Sequence, residues 1–157
     1  MITTIPTIYG VKQSPFVRKV RVALIQKNLE FNLITIMPGD SRKTFRSISP
    51  FGKIPGFRHG SVKLCDSTVI CNYLENLYPT PSIFPKDSVL LSKAQWFEEF
   101  ADDLMAKYLT NILMYQCFLK PAFRNIPPNK EVVSETLLEK VPPLFQYLEK
   151  KFFKINF

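Results

Sequence analysis

Residues 53–67 read Lys53-Ile54-Pro55-Gly56-Phe57-Arg58-His59-Gly60-Ser61-Val62-Lys63-Leu64-Cys65-Asp66-Ser67. Two short apolar runs, Ile54 to Arg58 and Val62 to Cys65, flank His59-Gly60-Ser61, which has the length and chemistry of a β-hairpin turn. Asp66 and Ser67 are helix-capping residue types, and Val69, Ile70, Tyr73, Leu74 and Leu77 behind them keep one helical face. The stretch therefore predicts strand, turn, strand and then a helix from about Ser67, with His59 solvated in the turn. Proline in a sheet is confined to edges, first positions and bulges, so Ile54-Pro55 marks either an edge strand or a cis peptide bond. A cis bond would turn the amide and carbonyl of Ile54 outward beside the Ser67 helix, where an extended peptide could pair with them.

Upstream, Thr7 to Tyr9 reads as a short strand limited by Pro6, and Gly10 to Gln13 as a loop. Ser14 then caps a helix with Pro15 at its first position, where the missing N–H would be unsatisfied anyway. Phe16, Val17, Val20, Ala23, Leu24 and Ile25 supply its inner face, and it ends near Asn28. Phe31 to Ile36 is a second strand, Pro38-Gly39-Asp40 a turn, and Thr44 to Ile48 a short helix before Ser49-Pro50-Phe51-Gly52. A parallel βαβ unit followed by an antiparallel pair is a thioredoxin-like arrangement, βαβαββα.

Downstream, Tyr78-Pro79-Thr80-Pro81 stops the third helix, which sets a first domain at 1–79 and a linker at 80–87. From Ser88 the pattern changes. Apolar residues recur at helical spacing for about seven turns, with no proline until Pro121. A second helix runs from about Lys130 to Phe152, with Pro142 and Pro143 expected to kink or divide it. The fold class is α/β plus all-α: a thioredoxin-like domain, then a helical domain over 88–157.

Composition bounds the partners. The 157 residues carry a net charge of +8, but the basic residues are spread along the chain rather than interleaved with aromatics in a stripe, which argues against nucleic acid and for a small acidic ligand. Cys65, Cys71 and Cys117 form no paired-cysteine motif, and a single histidine gives a metal site no support. No apolar run approaches the roughly 20 residues that span a membrane, so a soluble, cytoplasmic protein is expected.

Ser14-Pro15-Phe16-Val17-Arg18-Lys19-Val20-Arg21, Gly52-Lys53-Ile54-Pro55 and Asp66-Ser67, in that order and at those spacings, resemble the glutathione S-transferase superfamily, specifically its bacterial members and serine-type classes such as tau, theta and zeta. The resemblance covers residues 1 to about 150 and is strongest in the first 80. It implies glutathione as co-substrate, with no metal, lying extended against a cis Pro55. Ile54 would pair with the cysteinyl unit, Asp66 and Ser67 would hold the γ-glutamyl end, and Lys53 would reach the glycyl carboxylate. Asp66 stands where glutamate is commonest.

The same resemblance makes Ser14 the catalytic residue, donating its hydroxyl to the glutathione thiolate; Tyr9 is the lesser candidate. Lowering a thiol pKa by two units needs about 2.7 kcal/mol. A helix dipole gives about 0.3–1 kcal/mol and a hydrogen bond to a charged group about 1.5–3, so together they suffice. Taken alone, Ser14-Pro15 and Asp66-Ser67 are ordinary helix caps. Met105, Tyr108, Ile112 and Tyr115 form either core or a pocket for an apolar electrophile. Glutaredoxin-type exchange is excluded, because Ser14 and Val17 stand at the two cysteine positions and a serine oxygen cannot form the mixed disulfide.

The expected activity is conjugation of glutathione to small electrophiles by a homodimer. The alternative is a non-catalytic relative resembling stringent starvation protein A, which binds a protein partner. Full-length relatives carry five or more C-terminal helices, so the helical domain is expected to be shortened and turnover weakened. Its apolar surface would be covered by dimerisation or by the tail bearing Phe152, Phe153, Ile155 and Phe157.

Overall fold

The computed structural model describes residues 4–152, which fall into two compact units divided between residues 86 and 87. In the first unit the order is β1 (Thr7–Tyr9), α1 (Pro15–Gln26), β2 (Asn32–Ile34), α2 (Lys43–Arg46), β3 (Gly56–His59), β4 (Val62–Cys65) and α3 (Ser67–Leu77). The sheet runs β2-β1-β3-β4, with β1 parallel to β2 and antiparallel to β3, and β3 antiparallel to β4. This is the expected thioredoxin-like βαβαββα order, and Ile54-Pro55 is cis.

The core is built from one face of each element. Ile8 and Phe57 from the sheet meet Val17, Val20 and Leu24 of α1 and Ile70 and Leu74 of α3, all fully buried. Burying a side chain of this kind is worth about 1.5–3 kcal/mol, so these seven positions dominate the unit's stability. The other face of the sheet is covered by α2. A Cβ on Gly56 would lie 2.9 Å from Cε2 of Phe45 and 3.2 Å from Cγ2 of Ile48, so only glycine lets α2 sit this close to β3. Asn28, at φ 56, ends α1 in the left-handed conformation that asparagine tolerates best after glycine.

Several local expectations change. Ile25, Val69 and Leu77 point to solvent, while Cys71 takes a place in the core. The second strand spans only Asn32–Ile34, and β3 starts at Gly56 rather than Ile54. The turn shortens to Gly60-Ser61, with Gly60 at φ 61, so His59 belongs to the strand. His59 is fully buried rather than solvated: its Nδ1 lies 3.0 Å from the Tyr73 hydroxyl, and its ring meets Phe57, Tyr73 and Tyr78. A one-residue change in turn length moved its side chain from the turn onto the α3 face of the sheet.

Lys27 closes the unit. Its buried ammonium donates to Glu75 Oε2 at 2.6 Å, to the Tyr78 carbonyl at 2.6 Å and to the Pro81 carbonyl at 3.0 Å. One cation thereby joins the end of α1 to the end of α3 and to the segment that leaves it.

In the second unit, Asp87 caps α4 (Ser88–Glu99), its carboxylate accepting from the Val89 and Leu90 amides. The helix continues without a break through a π-helical stretch, Phe100–Leu119, into α5 (Lys120–Arg124). Pro121 therefore lies inside the helix instead of ending it. Just before it, the Lys120 N–H reaches the Tyr115 carbonyl five residues back, a wider winding that accommodates the proline ring. The same device recurs at Pro142 and Pro143. A π-helical turn, Thr136–Lys140, joins α6 (Lys130–Glu135) to α7 (Val141–Phe152), so the prolines neither divide nor end the helix. Trp96, Phe97 and Phe100 pack on Tyr147, and Phe97 stacks on Phe152 at 5.5 Å. Phe153, Ile155 and Phe157 lie outside the described residues. Among the described residues no helix is long and apolar enough to cross a membrane.

Candidate functional site

Ser14 precedes α1 with extended backbone, φ −63 and ψ 129, and its Oγ accepts from the Val17 amide at a long 3.4 Å. Capping uses a lone pair of the hydroxyl and leaves its proton free to be donated, so the cap and a thiolate donor are compatible roles for one side chain. Ser14 is 7% exposed, and the first turn of α1 holds no acidic residue. The helix start is therefore a positive end with no anion in its own first turn.

Gly10 brings this helix start to the cis proline. A Cβ there would lie 2.5 Å from Cγ2 of Val17 and 3.2 Å from Cβ of Ile54, so the loop after β1 is wedged between α1 and Ile54. The hairpin register supplies the third element. Gly56 pairs with Cys65, which sets Pro55 and Asp66, one step further along each strand, across from one another. Ser14, Ile54-Pro55 and Asp66-Ser67, separate in sequence, thus converge at one end of the sheet. Among the described residues the Ile54 backbone takes part in no turn or loop hydrogen bond.

Asp66 is held at φ 86, a sparsely populated conformation for a residue with a Cβ, costing about 1–3 kcal/mol. Its Oδ1 accepts from the Thr68 amide at 2.9 Å and the Val69 amide at 3.2 Å. The capping reading of Asp66 is therefore realised, and two of the helix N–H groups are already occupied. Ser67 is buried at the first position of α3. Lys53 is exposed, and its carbonyl accepts from the Ser49 hydroxyl at 2.7 Å. Tyr9 packs its ring on Phe45, on the α2 side of the sheet.

Met105, Tyr108, Ile112 and Tyr115 all lie half-buried on the π-helical stretch of the second unit. There the backbone bonds join residues five apart, so the α-helical spacing that aligned these four in one stripe does not carry over unchanged. What sequence reasoning missed is Arg46. No motif pointed to it, yet its guanidinium meets three backbone carbonyls beside the Lys53-Ile54 strand entry.

Residues 8–82 match the family model of the glutathione S-transferase N-terminal domain. The N-terminal unit is thus similar to the N-terminal domain of glutathione S-transferases. A probable glutathione S-transferase, GSTF1, of Oryza sativa subsp. japonica is 27% identical over 150 residues, which is 92% of this chain and 68% of that protein. Glutathione S-transferase Z2 of Arabidopsis thaliana is 35% identical over 83 residues, 51% of this chain and 37% of its own length. Among solved structures, glutathione transferase F2 from Populus trichocarpa superposes with a TM-score of 0.80 at 22% identity, covering 97% of this chain and 72% of the poplar chain. The likeness to the poplar structure extends the glutathione transferase fold across the helical unit.

Proposed function

We propose that this protein is a serine-type glutathione transferase that binds glutathione extended along Ile54 and activates its thiol through Ser14. The observation that carries the reading is the convergence of Ser14, Ile54-Pro55 and Asp66-Ser67 in a unit similar to the N-terminal domain of glutathione S-transferases. The Ile54 amide and carbonyl pair with the cysteinyl unit of the ligand in β fashion. Ser67 and the positive start of α3 receive the γ-glutamyl carboxylate, Asp66 answers its ammonium with the oxygen not spent on capping, and Lys53 meets the glycyl carboxylate.

The chemistry follows from the preference of this site for an anion. The Ser14 hydroxyl donates to the sulfur once the thiol proton has left, and the α1 N-terminus adds its dipole; both favour the thiolate over the thiol. The thiolate attacks a small apolar electrophile, with Met105, Tyr108, Ile112 and Tyr115 as candidate contacts, in a homodimer. A non-catalytic relative of the stringent starvation protein A type would keep the fold and lose thiol activation.

Ultraviolet titration of the bound thiolate separates these readings. In Ser14→Ala the thiol pKa is expected to rise by about 1–2 units, the value of one hydrogen bond to a charged group. A mutant thiol titrating at the wild-type pH would remove the role of Ser14. Failure of the wild type to bind millimolar glutathione would remove the whole reading.

A further inference from the structure

We propose that Arg46 is a positioning residue for glutathione, holding the backbone of Ile54 at the angle an extended peptide needs. The inference rests on the glutathione-binding reading above and names a residue that never touches the ligand.

Two limbs of chain meet beside the cis proline. One is the turn after β2, residues 37–40, and the other is residues 49–53, which enter β3. The Gly39 amide donates to the Gly52 carbonyl at 2.8 Å, joining them, and the Gly52 amide donates back to the Ser49 carbonyl at 2.9 Å. Arg46 binds both limbs at once. Its Nε donates to the Asp40 carbonyl at 2.8 Å, Nη2 to the Gly39 carbonyl at 3.1 Å and Nη1 to the Pro50 carbonyl at 3.0 Å. The guanidinium also lies against Gly52: a Cβ there would stand 2.9 Å from Cζ and about 3.0 Å from each terminal nitrogen. Gly52 has φ +69, so backbone strain and the guanidinium both oppose any side chain at this position.

The acceptors are all neutral carbonyls. The neighbouring Asp40 carboxylate is taken by Arg42, which reaches Oδ2 at 2.8 Å and Oδ1 at 3.0 Å. Arg46 is therefore used for the shape of its planar fork rather than for an ion pair: each carbonyl meets a different nitrogen, whereas a lysine's three donors radiate from one compact ammonium. The path to the site is short. Arg46 fixes Pro50 and Gly52, the buried Ser49 hydroxyl fixes the Lys53 carbonyl, and the next residue is Ile54. β-type pairing with a ligand depends on two backbone groups in one orientation, and a loop free to swing weakens both bonds.

Calorimetric titration of glutathione into the wild type, Arg46→Lys, Arg46→Met and Ser49→Ala tests this, together with hydrogen exchange at the Gly39 and Gly52 amides, which are hydrogen-bonded in the two limbs. The expected result is a Kd raised about tenfold in both Arg46 variants, equivalent to roughly one backbone hydrogen bond. Exchange at those two amides should quicken while amides of β1 and α3 stay protected. Ser49→Ala should show a smaller rise and provides the measurement if the Arg46 variants do not fold. Wild-type affinity in Arg46→Lys would show that the charge suffices and overturn the inference, as would unchanged affinity in Arg46→Met and Ser49→Ala. A wild type that binds no glutathione would instead overturn the functional reading, a result readable before any variant is made.

Discussion

The two units solve the burial problem differently. In the first, seven large apolar side chains from four elements are completely removed from water, and the candidate site sits on their frame. In the second, among the described residues only Phe100, Ala106 and Thr136 are buried, while Trp96, Leu104, Phe118, Phe123, Leu137, Leu138 and Phe145 remain exposed to a large degree. A sheet covered by helices on both faces encloses an interior, whereas single helical layers leave one face of each helix open. The lesson is that geometry tight enough to order a ligand belongs to the first unit, and tolerance to change to the second.

The largest expected effect tests that contrast at its root. Phe57→Ala should cost about 3–5 kcal/mol in urea denaturation, because a completely buried ring leaves a cavity. Next comes Lys27→Met, which strands the Glu75 carboxylate and should cost about 3 kcal/mol, at the low end for a broken buried pair because Glu75 keeps some solvent.

Glu75 also makes a pH prediction. Burial pushes its carboxyl up, but the Lys27 ammonium, the Ser82 hydroxyl and the Ile83 amide outweigh burial and hold it below its ordinary value. A carboxyl depressed in the folded state stabilises above its unfolded pKa, and that stabilisation is lost as pH falls through the folded value. Acid denaturation should therefore show a slope in that window which Glu75→Gln removes. An unchanged slope would mean that the Lys27 latch contributes nothing to acid stability.

Ser14→Ala should cost only about 1 kcal/mol of stability, the worth of an N-cap, beside its larger effect on the bound thiol. A loss of several kcal/mol would make Ser14 a structural residue first. Smallest of all, Leu138→Gln in the second unit should stay within about 0.5 kcal/mol of wild type by the same denaturation measurement, since the side chain is 74% exposed. A loss as large as that of Phe57→Ala would end the contrast between the units.

Much of the first unit was legible because its signals are local. Ser14-Pro15, Asp66-Ser67 and Asn28 mark helix ends through bonds spanning two to four residues, and of the two readings that Ile54-Pro55 left open the structure contains the cis bond. The order of elements followed from the same signals. The second unit was harder to read. Pro121, Pro142 and Pro143 break an α-helical ladder, but a π-helical turn absorbs them, and nothing in the apolar periodicity distinguishes the two windings.

By itself, then, the sequence determined the order of strands and helices over residues 7–77 and the caps of α1 and α3, since each depends on neighbours in the chain, while the candidate roles of Ser14, Ile54 and Ser67 came from the resemblance. Only the tertiary structure decided that His59 lies buried against Tyr73, that Lys27 joins three carbonyl and carboxylate oxygens about 50 residues away, and that Arg46 spans two limbs of a loop. The physical reason is that a polar side chain takes its role from partners that the folded backbone brings to it, and a single residue type carries no record of which oxygens those will be.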